Sequence, residues 1–459
     1  MSLEAALERA RAERNADLSD FCAELRIPSV AMEPSGRDAA LTNADWLTEG
    51  LRDAGFDAEL WGGELGMPLI AAEWRGAGPD APMVTIYGHY DVQPADPLDL
   101  WTTPPFEADV RDGRVFARGA ADNKGNHFAA LCAATHAIAA GGPPVNLRFL
   151  IEGEEEGGGP VLPAYLRERG AGLDTEAVLI WDGGFIFDAP ALVTGVRGIL
   201  YVELSAQGPR VDLHSGEFGG AAPNPINTLA RVIAGLKDAD GRVTIPGFYD
   251  AAIPPSVAER QEWADWSEIE GVFAGLIGAA ALEGEPDWSA VERLQARPTL
   301  DCHGIWGGFS GEGEKTVIPA EAGAKLSMRL VPDQDPEVIF AALARRVDEL
   351  RTPGVTIEVR KSGSAAPAAS FGTDHAPLRA AASAFEAAFG KQALKVRAGY
   401  SVPVAIDFVN HVDAPIVCSG FSQFDCAVHS PDENLAIDHF HRGIEMLLHF
   451  FWRLPAELR

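Results

Sequence analysis

MVTIYGHYD, residues 83–91, decides the fold. Residues 83–87 form a short, almost wholly apolar run, too short for a helix and of ordinary strand length. A strand that is apolar on both faces belongs inside a sheet covered on both sides. The run ends at Gly88 and gives way at once to His89 and Asp91. Three more runs repeat the arrangement. Residues 145–151 lead into Glu152-Gly153-Glu154-Glu155-Glu156, and residues 177–181 into Asp182-Gly183-Gly184. Residues 414–418 lead into a loop carrying His429-Ser430-Pro431. In open α/β sheets ligands bind in the crevice outside the carboxyl ends of the strands. Four strands would therefore bring His89, the glutamates, Asp182 and His429 to one edge.

Working outward, an Ala-rich helical stretch over 125–140 separates the second run from the third, and its start carries Asp122. A further strand signal spans 68–72. Leu18, Phe21, Cys22 and Leu25 have helix spacing, as do Trp46, Leu47 and Leu51, with Gly55 as the stop. A helix is expected over 435–454. Strands alternating with helices predict an α/β catalytic domain. The middle of the chain differs. Residues 201–205 and 325–330 alternate apolar and polar, the pattern of strands with one wet face. They predict an inserted α+β domain over about 197–385, between catalytic segments 1–196 and 386–459, with its boundaries near Gly195–Arg197 and near Phe371–Ala376. Two domains also suit 459 residues, since single cores stop growing near ~250–300.

Composition excludes several roles. A net charge of −30 argues against nucleic acid and against anionic membranes as partners. No apolar run approaches the ~20 residues of a membrane span. The opening stretch MSLEAALERARAERNADL has no apolar signal segment and reads as a charged helix, so the cytoplasm is the expected compartment. The five cysteines are scattered, with no CxxC pair, and are expected to be buried and unpaired.

Taken singly, the candidate residues are ordinary. Asp122 reads as a helix cap, 154–156 as a solvated acidic loop, and Asp182 as a turn. Their joint placement at strand ends is not ordinary. Two histidines and three carboxylates suit zinc, and equally manganese or cobalt. Carboxylates can bridge, so a paired metal site is expected. So many acids in one crevice repel one another without cations.

These residues lie in motifs that resemble one family. GHYDVQP (88–94), ARGAADNKG (117–125), EGEEEGG (152–158), WDGG (181–184) and HSPDEN (429–434) are similar to those of the co-catalytic zinc metallopeptidases. That family includes carnosinase, cytosolic nonspecific dipeptidase, aminoacylase and the glutamate carboxypeptidases. GVRG (195–198), DLHSGEFGG (212–220), KTVIP (315–319), MRLVP (328–332) and RAGYSVPV (397–404) resemble the dipeptidase and carnosinase branch. The resemblance covers nearly the whole chain. It implies a mixed sheet with helices on both faces and an inserted α+β sandwich that serves as lid and dimerisation domain.

It also implies roles. His89 and Asp182 would hold one divalent metal ion, Glu156 and His429 a second, with Asp122 bridging. Glu155 would be the general base and Asp91 would orient His89. His214 would reach into the partner subunit's site of a homodimer. Arg329, Thr316, Gly399 and Ser401 would bind the C-terminal carboxylate of a small peptide. His303 and the remaining histidines would be structural. Two departures stand out: Tyr400-Ser401 follows Gly399 where the family often has Gly-Ser, and Asp432 stands where Asn is frequent. The expected reaction is metal-dependent hydrolysis of dipeptides. The alternative on the same residues is an N-acyl amino acid deacylase or desuccinylase.

Overall fold

The structure, a computed structural model, describes residues 2–264, 266–278, 280–399 and 403–459. Contacts divide it into two units. The first comprises Met1–Thr194, Phe371–Val396 and Pro403–Arg459, and the second Gly195–Ser370 with Arg397–Val402.

The sheet of the first unit runs in the order Asp57–Trp61, Leu69–Trp74, Asn146–Glu152, Met83–His89, Ala177–Trp181, Ile416–Ser419 and Ala189–Val196. Asn146–Glu152, Met83–His89, Ala177–Trp181 and Ile416–Ser419 are mutually parallel, and the strands flanking them are antiparallel. The four parallel strands are buried along their whole length, as their largely apolar runs require. Parallel strands end on one side, so the residues that follow them emerge together.

Helices cover both faces. Val84 and Ile86 face a core that includes the helices Lys124–Ala139, Ala376–Phe389 and Ile437–Glu457. The alternate residue Tyr87 meets Phe408 of the helix Pro403–His411 edge to face. Lys124–Ala139 is buried nearly all round, the signature of an internal helix. Among the described residues no helix is long and apolar enough to cross a membrane.

The second unit is a four-stranded antiparallel sheet in the order Thr299–Gly307, Glu321–Leu330, Gly198–Gln207, Thr356–Ala366. The helices Pro225–Gly235 and Pro336–Leu350 pack on one face, burying Leu200, Val202, Leu204, Leu229, Met328 and Leu343. The alternation seen in 201–205 and 325–330 is this one-sided burial.

The structure departs from the sequence reading in two places. The return from the inserted unit falls at Phe371, within the boundary expected near Phe371–Ala376 and short of the end of the 197–385 span. Ala376–Phe389 belongs to the first unit, because Ala380, Ala381, Ala384 and Phe385 are buried in its core. Cys302 is exposed, unlike the other four cysteines. It lies on the outermost strand, Thr299–Gly307, at a register shift beside Gly304, where no second layer covers it.

Candidate active site

The site of the first unit grows from the strand ends. His89 closes Met83–His89 and is fully buried. Gly88 permits this placement: a Cβ there would lie 2.6 Å from His127 Cβ and 2.9 Å from Asn123 Oδ1. His89 Nδ1 stands 3.1 Å from the Asp91 carbonyl and 3.3 Å from Asp91 Oδ1. Its Nε2 is thereby turned outward, 3.1 Å from Asp122 Oδ1 and 3.5 Å from Asp182 Oδ1. Asp122 precedes the helix Lys124–Ala139. Its second oxygen lies 3.0 Å from His429 Nε2, which is also 3.4 Å from Glu156 Oε2. Two triads result, His89–Asp122–Asp182 and Asp122–Glu156–His429, each with ligand atoms within 4.8 Å of one another. Asp122 is common to both.

Neighbouring groups hold these side chains. Asp91 is fully buried and accepts the backbone N–H groups of Glu155 (3.2 Å) and Glu156 (3.1 Å). It therefore ties the His89 loop to the glutamate loop. Glu154 turns elsewhere, pairing with Arg37 at 3.0 Å. Asn123 donates to Asp182 Oδ1 at 2.8 Å and accepts the His89 N–H at 3.3 Å. Gln93 donates to Glu156 Oε2 at 2.8 Å. Glu433 binds the turn before Asp122. His429 has φ of +59°, with Ala427 and Asp432 also at positive φ. Such backbone is uncommon outside glycine, and the surrounding loop must hold it. Asn123, Gln93 and Glu433 were not singled out from the sequence. All three lie inside the quoted motifs, but only burial and hydrogen bonding reveal what they do.

The electrostatics follow from the crowding. Burial opposes a charge on His89, but hydrogen bonds to Asp122, Asp182 and Asp91 hold its pKa well above the ordinary value. Hydrogen bonds to Asp122 and Glu156 push His429 up to about 10. For Asp122, burial would raise the pKa, but the two histidines outweigh it and hold the carboxyl below its usual range. Burial pushes Glu155 up to about 9, with Asp182, Glu152 and Glu156 adding to it. The cluster thus calls for positive charge.

The remaining predicted residues belong to the second unit. His214 is exposed and ends the short strand Leu213–His214, paired with Val317–Ile318. Its Nδ1 accepts the Gly216 N–H at 3.0 Å. Thr316 is its neighbour, with its carbonyl accepting the Ser215 N–H at 3.1 Å. Arg329 lies near the end of Glu321–Leu330, opposite Ile199 and Thr299. Beside it Arg197 is buried, and burial together with Arg329 lowers the Arg197 guanidinium to about 10. Arg197 Nε donates to the Gly399 carbonyl at 2.8 Å. Ser401, with Tyr400, lies outside the described residues.

Comparison with known proteins agrees with this geometry. The profile of Peptidase family M20/M25/M40 matches residues 85–453. Cys-Gly metallodipeptidase dug1 of Schizosaccharomyces pombe is 29% identical over 480 residues, covering 99% of each chain. The cysteinylglycine-S-conjugate dipeptidase of Corynebacterium striatum is 30% identical over 417 residues, 88% of this chain and 87% of that protein. The crystal structure of human carnosine dipeptidase 1 superposes with a TM-score of 0.80 at 26% identity, covering 99% of both chains. The chain belongs to peptidase family M20/M25/M40 and is a hydrolytic enzyme of the metallopeptidase type.

Proposed function

We propose that the protein hydrolyses the amide bond of dipeptides, or short peptides, that carry a free C-terminal carboxylate. The observation that carries this reading is the pair of triads sharing Asp122. The donor set fits two divalent cations. Two imidazoles and three carboxylates converge, and Glu156 Oε1 is buried with no hydrogen-bond partner, an acceptor that a cation would satisfy. His89 and Asp182 would hold one ion, Glu156 and His429 the other, and Asp122 both. Zinc is the first candidate, with manganese and cobalt compatible with the same donors. When bound, such a pair polarises the scissile carbonyl and lowers the pKa of a nearby water toward 7.

The chain's own residues do the rest. Glu155 precedes a ligand, and Asp91 holds its backbone N–H. It is placed to take a proton from the attacking water and return it to the leaving amine. His214 accepts a hydrogen bond at Nδ1, so the neutral ring carries its proton on Nε2. That proton is a donor for the oxyanion of the tetrahedral intermediate. Arg329 offers the planar fork that grips a carboxylate with two parallel hydrogen bonds. Thr316, Gly399 and Ser401 complete the carboxylate subsite in this reading.

The position of His214 supports action across a homodimer. Val317–Ile318, its strand partner, lies just before Glu321–Leu330 begins, whereas Arg329 is near that strand's end. At about 3.3 Å per residue the strand sets its two ends roughly 25 Å apart. An extended dipeptide spans only about 7 Å. The histidine that meets a substrate held by Arg329 therefore belongs to the second subunit of a homodimer in this reading.

The test is activity of metal-stripped protein against dipeptides and N-acyl amino acids, with Zn²⁺, Mn²⁺ or Co²⁺ restored one at a time. The expected result is metal-dependent cleavage of dipeptides that is lost when the C-terminal carboxylate is amidated. Cleavage of N-acyl amino acids alone would overturn the dipeptidase reading.

A further inference from the structure

Three of the four candidate ligands other than Asp122 are placed by two different means. His89 and Asp182 end or directly follow parallel strands, so sheet hydrogen bonds fix them. Glu156 is held through its backbone N–H by Asp91. Asp122 and His429 have no such support. Asp122 lies in a turn, and His429 lies in a loop with three non-glycine residues at positive φ.

Glu433 joins these two segments. It is wholly buried and stands four residues after His429. Its Oε1 accepts the N–H groups of Ala121 (2.9 Å) and of Asp122 itself (3.0 Å). Its Oε2 accepts from Gly119 N–H (3.0 Å) and from the Arg118 guanidinium (2.6 Å). The Arg118 side chain is equally buried, donates to the Pro94 carbonyl at 3.2 Å and lies over the Trp101 ring. The backbone adds one more tie, from Ala117 N–H to the Glu433 carbonyl at 3.0 Å. One carboxylate thus collects three backbone donors of the turn that presents Asp122, from within the loop that presents His429.

We infer that Glu433 is a positioning residue that sets the bridging carboxylate of Asp122 against His429, so that cation affinity depends on it although it is not a ligand. The inference rests on the two-cation reading of Asp122. A buried carboxylate facing four donors has no neutral substitute. In Glu433→Gln, the single carbonyl oxygen is drawn to the charged Arg118, and the amide NH₂ is left against the N–H groups of Ala121 and Asp122. Two donors then face one another at the residue that should bridge, and the turn must move. Groups that hold metal ligands in place commonly change metal affinity about 10–100-fold when replaced.

The experiment is calorimetric titration of metal-stripped protein with Zn²⁺, together with the melting temperature before metal is added. Glu433→Gln is compared with Arg148→Met. Arg148 is buried and pairs with the half-exposed Glu73 at 2.7 Å in the same unit, so its loss also breaks an ion pair and leaves its own site unfilled. The expected result is a loss of at least about tenfold in Zn²⁺ affinity in Glu433→Gln. Arg148→Met is expected to melt at a lower temperature with unchanged affinity. If Glu433→Gln does not fold, Glu433→Asp is read the same way: it keeps the charge but is one methylene short of spanning Arg118 and the turn. Wild-type affinity in the Glu433 variant, or an equal loss in Arg148→Met, would overturn the inference. Wild-type protein that takes up fewer than two cations per chain would instead overturn the two-cation reading, and the inference with it.

Discussion

The two units carry their functional residues in opposite ways. In the first, the ends of four parallel strands and one helix start bring His89, Asp122, Glu156, Asp182 and His429 into two triads that share Asp122, each with ligand atoms within 4.8 Å of one another. Buried neighbours hold them there. In the second, His214 and Thr316 lie before one end of Glu321–Leu330 and Arg329 near the other. No single substrate of dipeptide size reaches both. The first arrangement is a site made by one chain. The second is a set of parts that becomes a site only with another copy, in the reading proposed above. In that reading the metal ligands and the base belong to the first unit, and the oxyanion donor and carboxylate grip to the second.

The sharpest way to break this division is at Glu155. Glu155→Ala removes the proposed proton carrier and no ligand. General acid–base groups contribute about 10²–10⁴-fold, and a drop in kcat of that size is expected with two cations still bound. The check is steady-state kinetics beside metal analysis of the same sample. Near-normal kcat would move the base elsewhere, and loss of metal would make Glu155 a ligand.

The second unit should respond differently. Removing one oxyanion donor typically costs about 10²–10³ in kcat, and His214→Ala is expected to fall in that range with metal content unchanged. Mixing His214→Ala with Glu155→Ala chains should restore part of the activity, because a mixed dimer contains one site with both groups intact. No recovery would place both groups in one chain and contradict the distance argument from Glu321–Leu330. Arg329→Met is a smaller perturbation. It should act mainly on KM and erase most of the preference for a free over an amidated C-terminus, since charge-assisted hydrogen bonds are worth about 1.5–3 kcal/mol. A change confined to kcat would assign Arg329 a different role.

The difference between the units also explains what could be read in advance. Apolar runs buried on both faces are unmistakable in a sequence, and whatever follows them lies at the sheet edge. That is why His89, the glutamates, Asp182 and His429 were legible as a group. The triple glutamate could not be resolved by pattern, because its register depends on Arg37 meeting Glu154 and on Asp91 holding the next two N–H groups. Asn123, Gln93 and Glu433 were invisible for a related reason. An amide or carboxylate in a loop has no periodicity, and its importance comes from the donors that burial brings to it. His214, Thr316 and Arg329 were legible only through resemblance. One-faced strands show which side is wet but not what binds there.

The boundary near residue 371 provides the mildest test. The Ala-rich stretch 376–389 straddles the end of the 197–385 span, yet Phe385 packs among Trp181, Phe185, Phe389 and Phe421 of the first unit. Trp181 is the residue before Asp182. Phe385→Ala should therefore cost about 3–5 kcal/mol of stability, as large-to-small changes at buried aromatic positions do. Because the sheet hydrogen bonds of Ala177–Trp181 remain, kcat at a temperature well below melting should change little. Hydrogen exchange separates the two assignments of this helix. If it serves the first unit, amides of Ala177–Trp181 and Ile437–Glu457 lose protection while those of Gly198–Gln207 keep it. Loss of protection confined to Gly198–Gln207 and Glu321–Leu330 would return the helix to the inserted unit. The division between the two units would then have to be redrawn, because a core element of one would be anchored in the other.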